Sequence, residues 1–188
     1  MVQSIRRFVP AMLPGARREK VSPMDANAPE IKALMGRIKV LIVEDDYYSR
    51  KVVRTLLNAI GVDKIHEAGD GESGLEAIEL HNPDMVLLDW EMPGMDGAQF
   101  MRRVRSPATF AHPAVPIIML TGHGETSRVR EAVNLGVHEF LLKPVSTAGL
   151  LARMVNVLTR PRPIIQRGNY YGPEPRRACR PGLDYIGA

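Results

Sequence analysis

Four apolar runs in this sequence end in groups that could do chemistry together. Val40 to Val43 runs into Glu44-Asp45-Asp46, Met85 to Leu88 into Asp89, Val115 to Leu120 into Thr121-Gly122, and His138 to Leu142 into Lys143-Pro144. Carboxylates gathered in one place repel one another and need a cation. Hard oxygen donors around an open cleft suit Mg²⁺, which keeps waters and binds phosphate oxygens. With phosphate's charge offset in that way, the Asp89 carboxylate can attack phosphorus and form an acyl phosphate. Lys143 supplies a compact positive charge for the phosphoryl oxygens, and Thr121 a short hydroxyl that can move toward them. The chemistry this set points to is phosphoryl transfer by positioning and electrostatics. Taken singly, each group has a plainer role: Asp46 or Thr121 as a helix cap, Lys143 in a surface ion pair worth little. The weight rests on the combination.

For these groups to meet, the runs must be parallel strands of one sheet, whose carboxyl edge is where such sheets bind ligands. Met85 to Leu88 is a continuous apolar run, as expected of a strand buried on both faces. Pro93, Gly94 and Gly97 follow and break regular structure beside Asp89. Helical spacing appears between the runs. Ser49 to Ile60 carries Val52, Val53, Leu56, Leu57 and Ile60 and stops at Gly61. Asp70 to Leu80, Ala98 to Arg105 and Glu125 to Leu135 read as further helices, with a short strand at Ile65 to Ala68. A last helix, capped by Ser146 or Thr147, carries Leu150, Leu151, Met154, Val155 and Leu158. Strand and helix alternate five times, which predicts an α/β domain: a (βα)5, doubly wound, parallel five-stranded sheet covered on both faces, over residues 38–160.

The chain has 188 residues, enough for one such domain plus tails. Its 45% hydrophobic and 24% charged content is that of an ordinary globular protein. One cysteine, Cys179, excludes an intramolecular disulfide or a thiolate zinc cluster. No apolar run is long enough to span a bilayer, and there is no glycine-rich or Walker loop for a nucleotide. Residues 1–37 hold seven Lys/Arg against three Asp/Glu, residues 38–160 thirteen against sixteen, and residues 161–188 five against two. The basic balance therefore belongs to the ends. Pro10 and Pro14 interrupt the first apolar piece, so residues 1–37 are expected to be a flexible basic extension, with Met24 and Met35 as alternative starts. Residues 161–188, with Pro161, Pro163, Pro173, Pro175 and Pro181 among arginines, are expected to be a mobile Pro/Arg-rich tail. Tyr170-Tyr171-Gly172 is the one step there suited to docking, on a partner or on the domain itself.

Val43-Glu44-Asp45-Asp46, Leu88 to Gly97, Leu120-Thr121-Gly122 and Phe140-Leu141-Leu142-Lys143-Pro144 together resemble the receiver domain of bacterial two-component response regulators. The resemblance covers about residues 38–160 and implies a flavodoxin-like strand order 2-1-3-4-5. It also implies roles. Asp89 would be the phosphoacceptor for a histidine kinase or phosphotransfer protein. Asp45 and Asp89 would ligate Mg²⁺ through side chains, Glu91 through its carbonyl, and Glu44 through water. Thr121 and Lys143 would contact the phosphoryl group, with Lys143-Pro144 cis. Phe140 stands at the switch-aromatic position where many relatives carry Tyr, so a signal relying on that hydroxyl is absent. Thr121 and Phe140 would then remodel the face made by the fourth helix, fifth strand and fifth helix of the repeat. Glu91 and His123, two places after Asp89 and Thr121, would line the route of hydrolytic water.

Nothing after Thr159 reads as an effector domain, so the expectation is a stand-alone cytoplasmic response regulator acting on another protein. It would catalyse its own phosphorylation and dephosphorylation rather than turn over a substrate. Two other classes remain open on sequence. One is a small Mg²⁺-dependent phosphatase with Asp89 as nucleophile, although Glu91 replaces the second Asp of the usual pair. The other is a receiver that regulates nucleic-acid or membrane-surface binding by the basic tails.

Overall fold

The computed structural model describes residues 29–122 and 126–175. The Arg-rich start with Met24, His123, Glu125, Cys179 and Pro181 lie outside the described residues. Five parallel strands, β1 (Lys39–Val43), β2 (Lys64–Ala68), β3 (Met85–Asp89), β4 (Ile117–Thr121) and β5 (Glu139–Leu142), form one sheet in the order β2-β1-β3-β4-β5. The crossovers are α2 (Tyr47–Ile60), α3 (Gly71–His81), α4 (Gly97–Val104) and α5 (Thr126–Asn134), and α6 (Thr147–Thr159) follows β5. A doubly wound α/β sheet is thus what the apolar runs and helical spacings build.

The runs are continuous because each strand feeds two cores. Leu41, Val43, Val86, Leu88, Ile117 and Met119 point to one side, against Ile78 of α3 and Phe100, Met101 and Val104 of α4. Val40, Ile42, Met85, Leu87, Ile118 and Leu120 point to the other, against Val53 and Leu57 of α2 and Leu150 and Met154 of α6. Alternation is present, but both faces demand apolar residues. On the first side α3 lies so close that a Cβ on Gly74 would meet Val43 Cγ1 at 2.8 Å.

Caps set the helix starts a residue or two from where apolar spacing alone puts them. Asp46 accepts from Ser49 N–H at 2.7 Å, so α2 begins at Tyr47 rather than Ser49. Asp70 does the same for α3 and Ser146 for α6. Asp96 and Gln99 form a reciprocal capping box that starts α4 at Gly97.

Two segments differ from the expectation of flexible ends. Residues Pro29–Met35 form a helix, α1, whose Met35 is fully buried in the core under α2 and α6. After α6 the chain forms an antiparallel hairpin, β6 (Ile164–Arg167) and β7 (Tyr170–Pro173), in place of a mobile tail over those residues. Its turn is Gly168-Asn169, with Gly168 at φ +57°, a two-residue Gly-Asn loop of the kind that closes hairpins. Arg162 fastens it to the domain by donating to the His138 carbonyl at 2.6 Å and to the Glu174 carbonyl at 3.0 Å. Gly172 lies against Gly136, which a Cβ on either residue would prevent.

Candidate functional site

β1, β3, β4 and β5 stand side by side in the sheet in that order and all run the same way, so their carboxyl ends share one rim. The site residues expected there do come together. Lys143 Nζ lies 2.8 Å from Asp89 Oδ1 and 2.7 Å from Glu44 Oε2. Glu44, Asp45 and Asp89 bring carboxylate oxygens within 4.8 Å of one another. Thr121 ends β4, buried, and its carbonyl accepts from Lys143 N–H at 2.8 Å. The Lys143–Pro144 peptide is cis. Phe140, paired across the sheet with Met119, is buried in the core on the α3, α4 and α5 side.

The electrostatics of this cluster are unbalanced. Among the described residues three carboxylates gather around one ammonium. Burial pushes the Asp89 carboxyl up from the ordinary aspartate value, and the hydrogen bond from Lys143 only partly opposes it. Burial also raises Glu44, against the Lys143 bond and with Asp89 adding repulsion. Lys143 is itself raised: burial pulls it down, but its bonds to Asp89 and Glu44 outweigh that. Acids held up in this way still lack positive charge, and their donors are hard oxygens at an open rim. A divalent cation such as Mg²⁺ fits that donor set.

Two further acids of these loops turn their carboxylates to other partners; the group expected of Glu91 is its carbonyl, not its carboxylate. Asp46 is taken up as the α2 cap and does not join the cluster. Glu91 lies in the loop after β3, with its carboxylate 3.2 Å from Arg128 Nη1 on α5 rather than among the acids. The same Arg128 guanidinium sits 5.8 Å from the Trp90 ring, so it spans the loop beside Asp89. Sequence reasoning missed this arginine and also Arg50, whose Nη1 donates to the carbonyls of Glu44 and Asp45. Neither contact is readable from spacing, because both depend on how a helix approaches a loop.

The response regulator receiver domain family matches residues 40–155. The chain belongs to that family. Among its relatives is chemotaxis protein CheY-3 of Vibrio cholerae, 31% identical over 131 residues, which are 69% of this chain and 99% of the relative. A putative response regulator from Chloroflexus aurantiacus has a similar structure, with TM-score 0.60 and 32% identity over 65% of this chain and 98% of the other. So has a chain in a CheX–CheY–BeF3–Mg²⁺ complex from Borrelia burgdorferi, with TM-score 0.59 and 29% identity over 64% of this chain and 88% of that one. Apart from Lys39, the receiver's five-stranded sheet and its acidic rim lie within the matched residues. The β6–β7 hairpin lies beyond them. Among the described residues no helix is long and apolar enough to cross a membrane.

Proposed function

We propose that this receiver accepts a phosphoryl group on Asp89 from a histidine kinase or histidine phosphotransfer protein and, so modified, presents a changed protein-binding face. The observation that carries the reading is Lys143 Nζ bonded to both Asp89 and Glu44, with Asp45 beside them. In the transfer, an Asp89 carboxylate oxygen forms a bond to phosphorus as the bond from phosphorus to the donor imidazole nitrogen breaks. The imidazole leaves and recovers its proton from solvent. Glu44, Asp45 and Asp89 would hold Mg²⁺, with Glu91 contributing its carbonyl. Bound there, the ion would offset charge between carboxylate and phosphate. Lys143 exchanges an acid partner for a phosphoryl oxygen, and its compact charge suits either. Thr121 donates its hydroxyl to the same group. Phe140 and the face of α5, β5 and α6 report the change as a shift between two populated arrangements.

Trp90 is the chain's single tryptophan and follows Asp89 directly. Mg²⁺ with acetyl phosphate should change its emission, and Asp89→Asn should abolish that response. An unchanged emission with both acetyl phosphate and beryllofluoride would sink the reading, and catalytic turnover of unrelated phosphomonoesters would replace it with a phosphatase. The output partner would be sought by capture with phosphorylated and unphosphorylated chain in parallel.

A further inference from the structure

The β1–α2 loop delivers two of the three clustered acids, and a cation outside the cluster holds its backbone. Arg50 stands on the first turn of α2 with its side chain 16% exposed. Its Nη1 donates to the Glu44 carbonyl and, at 3.3 Å, to the Asp45 carbonyl. Its Nε lies 3.4 Å from Glu67 Oε2 on β2, the neighbouring strand. Tyr47 stacks over it, with the guanidinium carbon 5.8 Å from the ring centroid. Arg50 is therefore fixed at both ends, by an acid on the sheet edge and by the two carbonyls of the acidic pair.

Those contacts answer a problem the site creates. Glu44, Asp45 and Asp89 repel one another, and the loop could relieve the repulsion by turning its acids apart. Glu44 N–H is already tied to the Ala68 carbonyl, which leaves the carbonyl side of the loop as the remaining freedom. A planar guanidinium can bond both carbonyls at once, and it stays protonated at every physiological pH. Lys143, by contrast, bonds the carboxylates themselves and must change partners when phosphate arrives.

We propose that Arg50 is a positioning residue for the divalent-cation site: it clamps the Glu44 and Asp45 carbonyls so that their carboxylates stay converged on Asp89, and Glu67 orients it from β2. The proposal rests on the reading of Asp89, Asp45 and Glu44 as the Mg²⁺ site. Groups that orient metal ligands in this indirect way typically alter affinity by about tenfold or more when removed.

The test is a Mg²⁺ titration of the full chain, followed by Trp90 emission and by the Mg²⁺-dependent rise in Tm. Arg50→Gln should raise the Mg²⁺ midpoint roughly tenfold, and Arg50→Lys should fall between it and the unsubstituted chain. At saturating Mg²⁺ the acetyl-phosphate rate of Arg50→Gln should recover toward normal, as a loss of fold would not allow. Arg54→Gln is the control: Arg54 also pairs with Glu67 but makes no bond to the loop, so its midpoint should not move. If Arg50→Gln fails to fold, Glu67→Gln takes its place and should raise the midpoint while Arg54→Gln does not. An unchanged midpoint in Arg50→Gln, or equal midpoints in Glu67→Gln and Arg54→Gln, overturns the proposal and leaves the Asp89 site standing. No Mg²⁺ response in the unsubstituted chain overturns both.

Discussion

Acid should destabilise this receiver through one histidine at the end of the molecule remote from Asp89. His138 precedes β5, and its Nδ1 accepts from Ile117 N–H at 3.2 Å while facing Arg105 Nη2 at 3.4 Å. Because Ile117 N–H can only donate, Nδ1 must be unprotonated in the fold. The residue keeps some exposure, but the Nδ1 edge is turned inward. Burial, followed by the Arg105 and Arg162 guanidinium groups, holds its pKa well below the ordinary histidine value. A proton there would break the bond to Ile117 and set a second cation against Arg105.

The unfolded chain carries no such restraint and takes the proton near pH 6.5. A folded pKa that is depressed contributes stability in full above the unfolded value, and loses it as pH falls below. The slope cannot exceed about 1.4 kcal/mol per pH unit, which bounds the loss between about pH 7.5 and about pH 5 at roughly 2 kcal/mol. That is a large share of a stability of about 5–15 kcal/mol. The assay is urea denaturation across that range, comparing the unsubstituted chain with His138→Gln, whose side-chain carbonyl can still accept from Ile117. His66, also depressed by burial and by the stacked His81, acts in the same direction in both proteins. Glu44 and Asp89, raised by burial, act in the opposite direction in both. The difference between the two curves isolates His138. Parallel curves would refute the reasoning. A chain ending at Arg160 lacks Arg162 and should show a shallower slope than the full chain.

Three further outcomes are expected. Gly136→Ala should lower stability by about 1–3 kcal/mol in chemical denaturation, because Gly136 has φ +82° and a Cβ there would meet the Tyr171 carbonyl of the hairpin at 2.8 Å. Lys143→Gln removes the cation bonded to Glu44 and Asp89, so Mg²⁺ should raise its Tm by more than it raises that of the unsubstituted chain; an equal rise would mean the ammonium does not offset the acids. Asp96→Ala removes the α4 capping box and should cost about 1 kcal/mol by the same denaturation assay.

The rim was legible in the sequence because its parts are strand ends, and an apolar run that stops at an acid, a hydroxyl or an amine announces its own terminus. Strand order was not legible from periodicity, since every run serves two apolar faces; it entered through the resemblance. The hairpin was obscured by its surroundings. Gly168-Asn169 between Ile164-Ile165 and Tyr170-Tyr171 is a local hairpin signal, but proline and arginine on either side read as a segment unable to pack. What the composition hid is that Arg162 and Gly172 have specific seats on His138 and Gly136. Arginine contacts were the blind spot generally. Arg50, Arg105 and Arg162 all spend donors on main-chain carbonyls, and a carbonyl is present at every position of a sequence, so no residue type marks the partner.

The two ends of the sheet do opposite electrostatic work. At the carboxyl ends, acids outnumber the ammonium that faces them. At the amino ends Arg105, buried, is met by carbonyls: its Nε donates to Gly136 at 3.0 Å and its Nη1 to Pro113 at 2.7 Å. Gly136 closes α5, so the guanidinium sits where a helix's negative end favours a cation, and it needs no carboxylate there. Burial still draws its pKa down to about 10, which leaves it charged at neutral pH. The strands between these ends are four or five residues long, or about 13 Å from first residue to last. Substitutions that far apart, sharing no partner, are expected to add. His138→Gln and Asp89→Asn combined should therefore change stability by the sum of their separate effects, and His138→Gln should leave the Mg²⁺ midpoint of the rim where it was. A coupling of more than about 0.5 kcal/mol between them would mean that the hairpin end and the acidic rim move as one unit, and that the β6–β7 addition is part of the switch.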